Sequence, residues 1–175
     1  NNIPTAKFWH FSSKEEFKLF LSNDEISFPC VWKKTKFGYD GFGVEILKST
    51  NDITKLPDSE FIIEEYIPFQ KELATTIARN DSGQVEVFPI VEMSFNDESN
   101  QVEYVICPAQ INNENMIQAK ETALSVSKSF GHTGILAVEM FLTKDNKVLV
   151  NEVAPRPHNS AHYSLEACMS SQFDQ

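Results

Sequence analysis

The 175-residue chain is 41% hydrophobic and 23% charged, a make-up that excludes a disordered segment and gives enough chain for one substantial domain or two small lobes. Its 25 acidic against 15 basic side chains leave a formal charge of -10, which argues against nonspecific binding to nucleic acid or acidic lipid, since both need clustered Lys and Arg. A cytoplasmic protein handling small molecules fits better: there is no signal-type N-terminus, no membrane-length apolar run, and Cys30, Cys107 and Cys168 lack CxxC spacing and read as free thiols.

Ser12 and Ser13 each precede a glutamate, Glu15 and Glu16, by three residues, and these overlapping capping-box patterns open a first helix with Phe17, Phe20 and Leu21 turned inward. FPCVWKK then reads as a buried strand, the loop GYDGFG follows, and VEILK returns as the second strand of a hairpin-like pair. EFIIEEYI and ELATTIARN are the next two strands. A turn at Asn80, Asp81, Ser82 and Gly83 leads into QVEVFPIVEM, and QVEYVICPA reads as a further antiparallel strand. Residues 112–130, with Ile117, Ala123, Leu124, Val126 and Phe130 at mixed three- and four-residue spacings, form the longest helix, ended by Gly131. A final hairpin, ILAVEMFLTKDNKVLVNEV, feeds the polar stretch NEVAPRPHNSAH. Many strands and few helices predict an α+β fold rather than a parallel doubly wound one. Residue 1 is not Met and SSQFDQ stops without a helix cap, which reads as a piece of a longer protein.

Chemistry concentrates in three places. In the polar stretch, Pro155 and Pro157 hold φ near one value, so Arg156 and His158 sit on extended backbone, aimed in advance at a ligand. In the hairpin before it, a period of two places Glu139 between Val138 and Met140 on one strand and Glu152 on the other, so that two carboxylates can converge. Their repulsion would be relieved by a divalent cation, and hard oxygen ligands suit magnesium bound through nucleotide phosphates. From spacing alone, two carboxylates facing water on a half-exposed sheet is an equally good reading. In GYDGFG, Gly38, Gly41 and Gly43 would let backbone N–H groups approach a phosphate, with Lys33 upstream to neutralise it. The loop matches neither Walker A nor GxGxxG, however; a glycine-rich hairpin is more often only a turn, and Lys33, Lys34 and Lys36 equally fit an exposed charge run.

The order of these parts resolves the choice. FPCVWKKTKFGYDGFG, FIIEEYIPFQKELATTIARN, AVEMFL and VNEVAPRPHNSAHYSLEACMSSQFDQ together resemble the ATP-grasp ligases, and more narrowly the N5-carboxyaminoimidazole ribonucleotide synthase family, over nearly all of the chain. PRPHNS followed by SQF is the specific mark; the glycine loop and the NE pair are shared by many ATP-grasp enzymes. The resemblance implies an α+β ATP-grasp fold in which antiparallel sheets of two lobes enclose a nucleotide: a smaller nucleotide-lid lobe over about residues 1–67 and a larger, truncated metal- and substrate-binding lobe over about residues 68–175. It implies that Lys33 contacts the phosphates of ATP, and that Gly38, Tyr39, Asp40, Gly41 and Gly43 form a lid that is mobile without nucleotide. Glu64, Glu65, Tyr66 and Ile67 would hold adenine as a hinge, and Glu72 the ribose hydroxyls. Glu139, Asn151 and Glu152 match positions that hold Mg2+, with Mn2+ an alternative, and Asn151 and Glu152 thereby face the nucleotide. Arg156, His158, Asn159 and Ser160 match the end that takes bicarbonate and the aminoimidazole; Lys33, Arg156 and Asn159 carry the catalytic roles.

The implied reaction is ATP- and bicarbonate-dependent carboxylation of 5-aminoimidazole ribonucleotide through carboxyphosphate, in de novo purine biosynthesis. It needs no covalent nucleophile, so Ser160 and Cys168 need not attack anything. Several positions depart from the family pattern: Phe37, Phe42 and Val44 in the lid, Ala74 after the Glu72 pair, Phe95 where a polar nucleotide contact is usual, and Ala161 beside His162. Two other readings rest on the shared features, namely another ATP-grasp carboxylase or carboxylate–amine ligase, against which PRPHNS argues, and a nucleotide-binding module without turnover. A homodimer is one assembly open to the full-length protein.

Overall fold

The computed structural model describes residues 3–36, 38, 43–96 and 102–174; Tyr39, Asp40 and Gly41 of the expected lid, with Phe37 and Phe42, lie outside the described residues. The chain forms two compact units, one spanning Ala6–Ile67 and the other running from Pro68 onward together with the N-terminal residues through Thr5. Among the described residues, no helix is long and apolar enough to cross a membrane.

The smaller unit is an antiparallel sheet of β1 (Phe8–Phe11), β2 (Cys30–Lys34), β3 (Val44–Leu47) and β4 (Phe61–Glu65) in the order β1-β4-β2-β3, with α1 (Lys14–Phe20) after the first strand. Strand alternation sends Phe11, Cys30, Trp32, Leu47, Phe61 and Ile63 to one face, where they bury with Phe17 of α1. Val31, Lys33, Val44, Ile46, Ile62 and Glu64 are left on the other face. The start of α1 follows its sequence signal: the Ser13 side chain accepts a hydrogen bond from the Glu16 N–H at 3.2 Å, and the Glu16 carboxylate accepts one from the Ser12 N–H at 2.7 Å. Phe17 is fully buried, whereas Phe20 and Leu21 pack only partly against the same core, because Leu21 already opens a 3-10 turn.

The larger unit holds β5 (Phe69–Arg79), β6 (Val85–Val87), β7 (Val91–Phe95), β8 (Val102–Ile106), α2 (Asn113–Phe130), β9 (Gly134–Thr143), β10 (Val148–Ala154) and the short α3 (Ser164–Ala167). Its sheet runs β10-β9-β5-β7-β8 with β6 also on β5, and every strand pair is antiparallel. The segment QVEVFPIVEM, expected as one strand, is two. Pro89 has no N–H to give the ladder, and the chain bends there between β6 and β7, held by Phe88 donating to the Thr76 carbonyl at 2.9 Å and by Thr75 Oγ1 donating to the Phe88 carbonyl at 2.7 Å.

Helix α2 starts with the Asn112 side chain accepting from the Asn115 N–H at 2.8 Å and ends at Gly131, whose φ of 58° is the left-handed conformation that favours glycine. It lies against β5, β9 and β10 through Ala119, Ala123 and Val126, closing a core with Leu73, Ile77, Leu136, Val138, Met140 and Leu142. Two members of the apolar series read from the sequence are exposed: Ile117 falls on the far side of the helix from Ala119, and Phe130 lies at its last residue. With α2 covering one face of the sheet, alternation gives the opposite face Glu72, Ala74 and Thr76 of β5, Val91 and Met93 of β7, and Ala137, Glu139 and Phe141 of β9. That face carries the polar chemistry.

Phe61 is fully buried with ring centroids 5.7 Å from Phe11, 5.8 Å from Phe17 and 6.2 Å from Trp32. Phe61→Ala is expected to destabilise the smaller unit by about 3 to 5 kcal/mol, read as a lowered urea midpoint of that unit's unfolding. A change below about 1 kcal/mol would mean that these rings do not hold the unit together.

Candidate functional site

The β9–β10 pair runs Val148↔Leu142, Leu149↔Phe141, Val150↔Met140 and then slips, so that Glu152 pairs with Glu139 and Asn151 is the extra residue of a bulge. Two consecutive residues thereby oppose one, a device that re-aims a side chain without leaving the sheet. Directly opposed residues share a face, so the Glu139 and Glu152 carboxylates stand on the same side of the sheet. Glu139 is largely withdrawn from solvent, its side chain 14% exposed, while Glu152 is exposed.

The stretch after β10 folds back over this face. His158 is buried, with Nε2 3.5 Å from Glu139 Oε1 and Nδ1 3.0 Å from the hydroxyl of the buried Ser160. Asn159 is exposed and opens a 3-10 turn over Asn159–Ala161, where the His158 side chain also receives the Ser160 N–H. Arg156 is exposed; its guanidinium donates to the Pro157 carbonyl at 3.1 Å, and among the described residues it has no carboxylate partner. Among the described residues, then, no acidic group ties its fork down as a structural ion pair.

Among the described residues, no cluster of three or more His, Cys, Asp or Glu side chains has the geometry to hold a metal ion by itself. Around the bulge of this hairpin the side-chain oxygen donors are the Glu139 and Glu152 carboxylates and the Asn151 amide. That set is wrong for a structural zinc, which wants four nitrogen or sulfur ligands, and right for Mg2+, which takes one or two carboxylates and completes its shell with water and phosphate oxygens.

In the smaller unit, Lys33 Nζ lies 2.8 Å from Glu64 Oε2, with the two side chains 20% and 16% exposed. Because Val31 pairs with Glu64, Lys33 is its diagonal neighbour on the sheet face opposite the core, which a long side chain spans. Lys34 and Lys36 are exposed, so of the three lysines only Lys33 is half-buried. Glu64, expected at an adenine hinge, directs its carboxylate to Lys33 here; Glu65 and Tyr66 are exposed and Ile67 half-buried. Gly38 is exposed. Gly43 has φ of 89°, and a Cβ built on it would lie 3.1 Å from Lys34 Cβ, so this position requires glycine.

Glu72 of β5 pairs with Met93 on one side and Phe141 on the other, and burial in this apolar setting pushes its carboxyl up to about 7. Phe141 stacks on Phe69 with ring centroids 4.6 Å apart and planes 4° from parallel. The Phe69–Phe141 pair goes unnoticed in the sequence, signalled only by two aromatics on neighbouring strands, and Gln172 is marked there only by its place in SQF, with nothing to say that it is buried. Of the positions that depart from the family pattern, Ala74 and Ala161 are buried, Phe95 is half-buried against Val91 and Met93, and Val44 is exposed.

The description of the ATP-grasp domain matches residues 1–173. The chain belongs to the ATP-grasp family. It is 35% identical to the N5-carboxyaminoimidazole ribonucleotide synthase of Synechococcus elongatus over 99% of this chain and 44% of the relative. Among solved structures it is similar to N5-carboxyaminoimidazole ribonucleotide synthetase in its ADP complex, with a TM-score of 0.89 and 38% identity over 99% of this chain and 46% of that one. The Aspergillus clavatus N5-carboxyaminoimidazole synthase, solved with ADP and 5-aminoimidazole ribonucleotide, gives a TM-score of 0.87 at 28% identity over 98% of this chain and 45% of that one. The chain thus spans less than half the length of these relatives. The antiparallel sheets of this ATP-grasp chain agree with the α+β class expected from its strands.

Folding raises the Glu72 carboxyl from its ordinary 4.5 to about 7, so the stabilisation that this group contributes is complete below about pH 4.5 and is lost as pH rises through about 7. Glu72→Gln, neutral at every pH, should flatten the fall in thermal midpoint that the wild type shows over that window. Parallel melting curves of the two proteins against pH would contradict the assignment.

Proposed function

We propose that the protein carrying this chain carboxylates 5-aminoimidazole ribonucleotide, using ATP and bicarbonate, to N5-carboxyaminoimidazole ribonucleotide in purine biosynthesis, and that it works in the cytoplasm. The observation that carries this reading is the β9–β10 hairpin, which opposes Glu139 to Glu152 and continues directly into the PRPHNS segment with His158 lodged on Glu139. Similarity to N5-carboxyaminoimidazole ribonucleotide synthases along the whole chain supports it, including one solved with ADP and 5-aminoimidazole ribonucleotide.

The chemistry divides into two displacements. A bicarbonate oxygen attacks the γ-phosphorus of ATP, the bond to ADP breaks, and carboxyphosphate results; the aminoimidazole nitrogen then attacks the carboxyl carbon and phosphate leaves. Charge builds on oxygen in both, so the work of the protein is positioning and electrostatic stabilisation. Lys33, steadied by Glu64, is the cation for the ATP phosphates, and Gly38, Tyr39, Asp40, Gly41 and Gly43 offer backbone N–H groups to them. Glu65, Tyr66 and Ile67 meet the base and Glu72 the ribose; a carboxyl poised near neutrality ionises readily when hydroxyls donate to it. Glu139, Asn151 and Glu152 would hold Mg2+ or Mn2+, which supplies charge neutralisation at the phosphate oxygens. Arg156, its planar fork paired with no carboxylate among the described residues, clamps bicarbonate, while His158, Asn159 and Ser160 face the aminoimidazole.

Full-length protein should release ADP only when bicarbonate and 5-aminoimidazole ribonucleotide are both present. ADP release driven by another amine or carboxylate, or none under any pairing, would sink the reading. Arg156→Lys keeps the charge but loses the fork, so it should raise the barrier to bicarbonate-dependent turnover by about 2 kcal/mol or more while ATP affinity changes little. Unchanged turnover would remove the clamp role.

A further inference from the structure

Gln172 lies in the SSQFD stretch, fourteen residues after His158, yet the residue is only 1% exposed. Its Oε1 accepts the His158 backbone N–H at 2.8 Å, and its Nε2 donates to the His158 carbonyl at 2.9 Å. One amide can bridge both groups because His158 is extended, with φ of -131° and ψ of 149°, which points its N–H and C=O the same way, as in a strand. Gln172 thus makes the two backbone hydrogen bonds that a neighbouring strand would make.

Gln172 is itself held on both sides. Its backbone N–H donates to Ser164 Oγ at 3.0 Å, and that fully buried hydroxyl donates to the Ala161 carbonyl at 2.6 Å. Next to it, the Ser171 N–H and Oγ both donate to Asp174 Oδ2 at 2.8 Å. On the other side of the bridge, the His158 ring spans Ser160 Oγ and Glu139 Oε1. The contacts therefore lead from the SQF stretch to the His158 backbone and, through its ring, to the carboxylate opposite Glu152.

We propose that Gln172 is a positioning residue: its side-chain amide grips the His158 backbone at two points and fixes where the His158 ring meets Ser160 and Glu139. As a consequence for turnover, which rests on the proposed carboxylation, losing the grip should loosen the PRPHNS segment and harm handling of the aminoimidazole more than that of ATP. Burial matters to the argument, because a hydrogen bond withdrawn there is not simply replaced by water.

The test uses full-length protein and two variants. Gln172→Met keeps length and apolar bulk but removes both hydrogen bonds; Ser164→Ala leaves Gln172 in place but removes its anchor, and serves as the milder variant should the first not fold. Backbone amide exchange is read at residues 158–160 and, as an internal control, along β9; kcat and KM are then measured for each substrate. In Gln172→Met, exchange at 158–160 should speed at least tenfold with β9 unchanged, and kcat/KM for 5-aminoimidazole ribonucleotide should fall at least tenfold with the KM for ATP within twofold. Ser164→Ala should show the same pattern at roughly threefold. Unchanged exchange at 158–160 would overturn the proposal, as would exchange rising equally along β9 with every KM, since Gln172 would then serve only the general fold. If wild-type protein shows no activity on 5-aminoimidazole ribonucleotide, the proposed carboxylation fails, and the exchange measurement still decides the grip on His158.

Discussion

Two carboxylates opposed across neighbouring strands repel, and the larger unit places such a pair at the edge of its sheet by setting Glu152 of β10 opposite Glu139 of β9. Much of what surrounds the pair follows from tolerating it. Helix α2 buries the other face of the sheet through Ala119, Ala123 and Val126, giving β9 and β10 a core that does not depend on the polar side. The bulge at Asn151 adds an amide oxygen beside the carboxylates, and His158 brings a ring nitrogen to within 3.5 Å of Glu139. In the proposed function a hard divalent cation would relieve that repulsion, because it would make the two carboxylates a shared ligand set.

The smaller unit handles charge differently. Its sheet is apolar on the α1 side and leaves the Lys33–Glu64 pair largely shielded on the other, with Val44 and Ile46 exposed on that face. A lysine held by a carboxylate is aimed rather than free to sweep through water, at the cost of part of its field. Glu72 in the larger unit is tuned the opposite way: with Met93 and Phe141 on the strands to either side, it takes on a proton near neutrality and is ready to accept hydrogen bonds from hydroxyls once ionised.

Local signals in the sequence carried local structure well. Ser13 caps α1 with Glu16 reaching back to the Ser12 N–H, Asn112 and Gly131 bound α2, and the period of two along residues 134–154 gives the hairpin its inward and outward faces. Signals that depend on neighbours in space did not appear. A period of two cannot announce a bulge, so the placement of Asn151 beside Glu152 opposite Glu139 is visible only once the strands are paired. The Lys33–Glu64 contact needs β4 beside β2, although thirty residues separate the two in the chain. Pro89 was a visible break inside an apolar run, but pattern alone extended the strand across it. Gln172 was legible as a family mark and mute as to its role, since its partner is a backbone rather than a side chain.

The central claim is that the opposed glutamates are a cation site completed by nucleotide phosphates. It is tested most directly by titrating Mn2+ into full-length protein with and without ADP, and following the bound ion by electron paramagnetic resonance in wild type and Glu152→Gln. The account predicts weak Mn2+ binding alone, binding strengthened by ADP, and at least a tenfold loss of the ADP-dependent affinity in the variant, because a neutral amide cannot share the charge. Equal Mn2+ affinity in the two proteins with ADP present would contradict it.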